Sequence, residues 1–141
     1  LGKRIIVLDP FLDTGWNADF ITNNQEKFLD VFWNNRECAV FIDEGSRMVG
    51  KYNHVMNDCA TMGRHCGHKV FFITQRVKQL STDVRTQCSD VAIFKQSLND
   101  TKDLADEFVE PMINQAHTLS KGEFIYVRDG QKTLKLNVFN L

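Results

Sequence analysis

No apolar run in this sequence approaches the ~20 residues that a membrane-crossing helix requires; stretches such as Ile5-Ile6-Val7-Leu8 and Val70-Phe71-Phe72-Ile73 are far shorter. No signal-peptide pattern opens the chain, so it reads as soluble and unsecreted, with a cytoplasmic address. Its four cysteines, Cys38, Cys59, Cys66 and Cys88, are scattered without a CxxC pair, and Cys38 opens an expected buried strand, which favours reduced, intracellular thiols. Neither sign of charge is in excess: seventeen Lys/Arg face eighteen Asp/Glu, for a net charge of -1. That excludes a global basic field for nucleic acid, so any polyanion has to be held locally. Repeats, low-complexity tracts and linkers are also lacking. The 141 residues, 43% hydrophobic and 25% charged, therefore read as a single domain, 1–141. A chain of this length buries roughly 68–70% of its unfolded surface and needs no structural metal.

Four short apolar runs are what the sequence does have. Residues 4–8 form a β-branched run closed by Asp9-Pro10, and Cys38–Ile42 a second one ending on Asp43-Glu44. Lys69–Thr74 is a third, followed by Gln75-Arg76, and Val91–Phe94 a fourth. Continuous apolar runs of this length suit strands buried on both faces, as in a parallel sheet. Between them, 24–34, 49–66 and 82–88 have helical patterning, with an Asn-Asn-Gln-Glu opening that can cap the first and Gly67 to stop the second. Residues 11–23 are polar and read as loop. Asn99-Asp100 reads as the cap of a last helix running to Ala116, which Pro111 should kink or split. Residues 122–127 and 133–138 alternate around Asp129-Gly130 and predict a hairpin. The pattern is α/β and three-layered, a mostly parallel sheet with a C-terminal antiparallel hairpin.

In open parallel sheets, ligands bind beyond the carboxyl ends of the strands. The residues ending the predicted strands are Asp9, then Asp43 with Glu44, then Thr74 with Gln75. A strand ending in two acids can divide their labour: Asp43 holds a hard cation, and Glu44 takes a proton from an attacking water. Gln75 can orient that water or sense a terminal phosphate. A strand ending in Asp-Glu can equally well just cap the next helix. Three complementary strand ends are harder to dismiss, and together they suggest a phosphate-handling site, living or vestigial.

Cys38-Ala39-Val40-Phe41-Ile42-Asp43-Glu44 looks like a Walker B strand with its catalytic Glu. Together with Gly63-Arg64-His65, Val70–Arg76, Gln87-Cys88-Ser89 and Asn99-Asp100, it resembles the FtsK/HerA group of DNA-pumping ATPases, nearest to phage genome-packaging ATPases. The resemblance spans about Lys3 to Phe139 and implies a partial RecA-like P-loop NTPase core that uses ATP and Mg²⁺. By it, Asp9 and Asp43 belong to the cofactor site, Asp43 supports Mg²⁺, Glu44 is the general base and Gln75 the sensor. Arg64 or Arg85 is the implied arginine finger on a neighbouring subunit's nucleotide, and Lys51, Arg76 and Lys78 the implied DNA contacts. The implied partners are DNA, copies of the chain in a homo-oligomeric ring, expected as a hexamer, and a viral capsid or portal component. The implied address is the host cytoplasm or the virion.

The sequence departs from this family at one point: it contains no G-x-x-x-x-G-K-[ST], the loop that cradles the β-phosphate. With its Leu start, this suggests that strand, loop and first helix lie upstream, and that these 141 residues alone bind ATP poorly and hydrolyse it negligibly. The rival reading is a non-catalytic module surviving as an assembly partner; a Zot-like phage assembly or secretion ATPase is a third. Cys59, His65, Cys66 and His68 cluster in sequence, but at spacings wrong for paired-ligand zinc modules, and read as buried thiols with ordinary histidines. His54 and His117 read as solvent-facing. Trp33 fits the core side of its helix, whereas Trp16, in a polar loop, could stack on a base.

Overall fold

The computed structural model describes residues 2–43 and 54–141, and the chain divides into two compact units, 1–87 and 88–141. The first unit is built on a four-stranded parallel sheet. Strand β1 (Ile5–Leu8) is followed by β2 (Phe20–Thr22), α1 (Gln25–Asn34), β3 (Ala39–Ile42), α2 (His54–Met62), β4 (Lys69–Phe72) and α3 (Thr82–Gln87). The order across the sheet is β2-β1-β3-β4, with Leu8 opposite Ile42 and Ile42 opposite Phe72.

Alternation along these strands sorts the side chains. Ile6, Leu8, Val40 and Ile42 are buried against Phe28 and Phe32 of α1, Met56 and Cys59 of α2, and Val84 of α3. On the other face, the Phe41 and Phe71 rings stack at 4.7 Å, nearly parallel. Asn24 caps α1, its side chain accepting from the Lys27 amide at 2.9 Å, as the Asn-Asn opening suggested. Helix α2 runs into a 3-10 turn, Gly63–Cys66, ended by Gly67 in the left-handed region at φ 72°. The expected strand 69–74 ends earlier, at Phe72.

Two expectations need correction here. Residues 20–22, read as loop, form β2, which pairs in parallel with β1. Three residues are too few for alternation to announce a strand. The fourth apolar run, β5 (Asp90–Ile93), does not join the parallel sheet. It pairs antiparallel with β6 (Glu123–Arg128), which in turn pairs with β7 (Leu134–Asn137), the predicted hairpin. A four-residue apolar run carries no direction of its own, so its partner decided.

In this second unit, helix α4 (Leu98–Glu107) packs against a 3-10 segment, Pro111–Thr118. Pro111 starts that segment, splitting the predicted helix in two. The cap of α4 is Ser97, whose side chain accepts from the Asp100 amide, two residues before the expected Asn99. Ile93, Leu104, Ile113, Leu119 and Ile125 are fully buried.

Candidate functional site

The strand register brings two of the sequence-predicted residues, Asp9 and Asp43, to one edge. Because β1, β3 and β4 run parallel with Leu8, Ile42 and Phe72 in line, the residues that follow all emerge from the carboxyl edge of the sheet. The ladder continues for one more step: the Asp43 amide donates to the Leu8 carbonyl at 2.9 Å and the Ile73 amide to the Ile42 carbonyl at 3.0 Å. Asp9, beside β2, donates its amide to the Thr22 carbonyl at 3.0 Å. Asp9 and Asp43 thus end neighbouring strands, and Gln75 follows the strand next to Asp43. Adjacent strands lie about 4.8 Å apart.

Asp9 is fully buried, and its carboxylate organises the loop after β1. One oxygen accepts from the Phe11 amide at 2.8 Å, and the other from the Asp13 amide at 2.7 Å and the Trp16 indole N–H at 3.1 Å. Burial pushes the Asp9 carboxyl up, but these donors outweigh it and hold the group below the usual carboxylate range. Trp16 also lies 5.5 Å from Phe41, centroid to centroid, so its ring lies within contact range of the aromatic face of the sheet. The Phe11 bond is an Asx-type turn, two residues on, and an Asp opening a polar loop is the signal that could have revealed it.

Asp43 is partly buried at the end of β3; Glu44 and Lys51 lie outside the described residues. Gln75, Arg76 and Lys78 follow β4 on the same edge as Asp43, with Arg76 at the start of a short 3-10 turn, Val77–Gln79. Arg64 sits elsewhere. Its 3-10 turn precedes β4, and the Cys66 carbonyl accepts from the Glu37 amide ahead of β3, so Arg64 belongs to the amino edge of the sheet. A four-residue strand, roughly 13 Å, separates it from the carboxylate edge. Arg85 is folded onto its own segment, one terminal nitrogen donating to the Leu80 carbonyl and the other to the Thr82 hydroxyl.

The cysteine and histidine cluster has other work. His68 is buried, its Nδ1 accepting from the Cys38 amide at 3.1 Å and its Nε2 donating to the Phe32 carbonyl at 2.9 Å. Both nitrogens join backbone to backbone, tying the end of α1 to the start of β3. Cys59 is buried among the core residues, and desolvation pushes its thiol up to about 12. Among the described residues, no three His, Cys, Asp or Glu side chains are grouped to hold a metal ion.

No family model and no curated protein matches this sequence. Solved structures do. The genome packaging NTPase B204 from Sulfolobus turreted icosahedral virus 2, in complex with AMPPCP, superposes with a TM-score of 0.75 over 94% of this chain and 81% of that one, at 16% identity. The fold is that of a P-loop NTPase. B204, the DNA-packaging ATPase from Sulfolobus turreted icosahedral virus, gives 0.72 at 16% identity, covering 94% of this chain and 82% of that one. VirB4 of Thermoanaerobacter pseudethanolicus gives 0.61 at 16% identity, covering 86% of this chain and 41% of that one. The P-loop fold accounts for the α/β class and for the parallel sheet whose carboxyl edge carries the acids. No helix of the described residues is long and apolar enough to cross a membrane.

Proposed function

We propose that the chain, residues 1–141, is the part of an ATP-hydrolysing, DNA-translocating motor domain that carries the Walker B carboxylates and sensor. The observation that carries this reading is that Asp43 ends β3 at the same sheet edge beyond which Gln75 follows the adjacent strand β4, three residues after its end. The likeness in fold to packaging NTPases solved with nucleotide analogues supports it.

The donor set at this edge fits half of a magnesium-nucleotide site. Asp43 offers the carboxylate oxygen that a hard cation takes, directly or through water, and Gln75 offers an amide for the attacking water or terminal phosphate. Mg²⁺, when bound with ATP, neutralises charge on the transferred phosphoryl. Glu44 takes the water's proton, Gln75 orients that water, and Asp9 shapes the adjoining loop. The phosphate cradle is the half that is absent from the sequence. β4 forms the sheet edge among the described residues, so a further strand leading into a glycine-rich phosphate loop fits along it, beside Gln75.

Of the two arginines, Arg64 suits action on a neighbouring subunit better: it lies at the edge opposite its own carboxylates, while Arg85 is bonded to its own turn. An arginine acting across subunits requires a ring, a hexamer in this reading, with Lys51, Arg76 and Lys78 as contacts to DNA phosphates and a viral capsid or portal as the partner. The cell cytoplasm or the virion is the corresponding address.

The test is DNA-stimulated ATP hydrolysis by the chain together with whatever its open reading frame encodes ahead of Leu1. Glu44→Gln should lower kcat by roughly 10²–10⁴-fold while nucleotide binding persists. Unchanged turnover in Glu44→Gln would sink the reading. The lack of the cradle supports a second reading, a non-catalytic assembly module. A start codon immediately upstream, with no GKS or GKT before Leu1, favours it.

A further inference from the structure

A second surface, remote in sequence from the strand-end carboxylates, has the chemistry of a nucleic-acid contact. In the unit 88–141, an open groove of about 480 Å³ runs between the end of β5 and the loop leading into β6, lined by Phe94, Lys95, Thr118, Ser120 and Lys121 among others. Phe94 is 46% exposed, yet its ring leans on buried Phe124 at 5.2 Å, so a flat aromatic surface is presented on a firm backing. Lys95 and Lys121 are exposed at the same groove. Its acid, Glu123, is already committed: one oxygen accepts from the Ser120 amide at 2.8 Å and the other pairs with Lys135 at 3.2 Å. Among the groove's charged lining residues, two cations thus face one acid that is already paired.

The loop that presents Lys121 is also held in shape. Gly122 has φ +85°, a side chain there would collide with Phe139 at 2.5 Å, and the Gly122 carbonyl accepts from the Val138 amide at 2.9 Å. A pair of cations beside an accessible ring on a rigid loop matches the way unpaired nucleotides are held, phosphates on the lysines and a base on the ring.

We propose that this groove binds a single-stranded segment of nucleic acid, Lys95 and Lys121 holding its phosphates and Phe94 stacking on a base. The proposal extends the motor reading by giving DNA a contact outside the parallel sheet. It needs neither nucleotide nor the carboxylates, so its assay stands or falls separately. The experiment is fluorescence anisotropy of the 141-residue chain with a labelled oligothymidylate across a salt series, without ATP.

The wild type should bind with log K falling linearly in log salt, and the double variant Lys95→Ala/Lys121→Ala should flatten that slope by about 1.4, at about 0.7 for each phosphate contact on a single strand. Lys102→Ala, on α4 and outside the groove, should leave the slope unchanged. Phe94→Ala should weaken binding by roughly fivefold to a hundredfold with the slope preserved, and Phe94→Trp should restore it. An unchanged slope in the double lysine variant, or oligothymidylate affinity indifferent to Phe94, overturns the proposal. So does saturable binding to duplex alone, since a paired base is closed to the ring.

Discussion

Asp9 and Asp90 are both carboxylates held below the usual range, and they differ in what their charge supports. For Asp9, three donors converge on a buried group. Asp9→Ala leaves two amides and an indole without their acceptor and should cost about 3 kcal/mol, read as a shifted denaturant midpoint. Asp9→Asn keeps an acceptor but not the charge. Because the folded group titrates below the unfolded value of about 3.9, its stabilisation is present above that pH and fades as pH falls through the lower folded value. The acid limb of the stability profile should therefore be flatter in Asp9→Asn than in the wild type. A parallel acid limb would remove Asp9 from the account.

Asp90 is brought to about 2, chiefly by the Tyr126 hydroxyl, then by Arg128 and the Ser89 hydroxyl. Its contribution is present above the ordinary carboxylate value and fades between about 4 and about 2. Tyr126→Phe should raise its midpoint, measurable as the pH dependence of its side-chain carboxyl carbon resonance. The site is half exposed, so little change in stability should accompany the shift.

At the scale of elements, what the sequence made legible follows from period and length. The apolar runs at β1, β3 and β4 marked strands, although β4, expected to be buried on both faces, is partly exposed at the sheet edge, and α1 and α2 have their cap, Asn24, and their stop, Gly67, where expected. The shared edge of Asp9 and Asp43 was legible for the same reason: a polar residue ending a buried strand has one edge to go to, whereas Gln75 lies three residues past the end of β4 rather than ending it. Asp9's donors were not, because the Phe11, Asp13 and Trp16 contacts depend on how an irregular loop turns. Direction was also hidden in β5, whose four residues suit either kind of sheet.

The end of α4 shows a local conflict that no periodicity reveals. Val109 follows the helix at φ 52°, while the Glu110 amide reaches back to the Ala105 carbonyl at 2.9 Å, the closing bond of a left-handed cap. A β-branched residue is strained in that region, and Val109 is 85% exposed, so its side chain contributes little packing in return. Val109→Gly should stabilise the protein by about 1 kcal/mol, a rise of a few degrees in Tm. A fall in Tm would mean that the exposed valine packs on something.

For the molecule as a whole, the decisive quantity is nucleotide affinity, because in the proposed motor reading the sheet edge would supply only the cation and water side of a site, and the 141 residues contain no phosphate cradle. Hydrogen bonds from backbone N–H groups to a charged phosphate contribute about 1.5–3 kcal/mol each, so lacking even two of them weakens binding by roughly 10²–10⁴-fold. The 141-residue chain should therefore show no saturable binding of a fluorescent ATP analogue at micromolar concentrations, with or without Mg²⁺. An open reading frame that carries a strand and a GKS or GKT loop ahead of Leu1 should bind the analogue in that range. There, Asp43→Ala should weaken the Mg²⁺-dependent part alone, since a carboxylate at the cation's edge touches the nucleotide only through the metal. Tight binding by the 141 residues alone would mean that the phosphates are held by groups other than a glycine-rich loop, and the edge of β4 would then need no further strand.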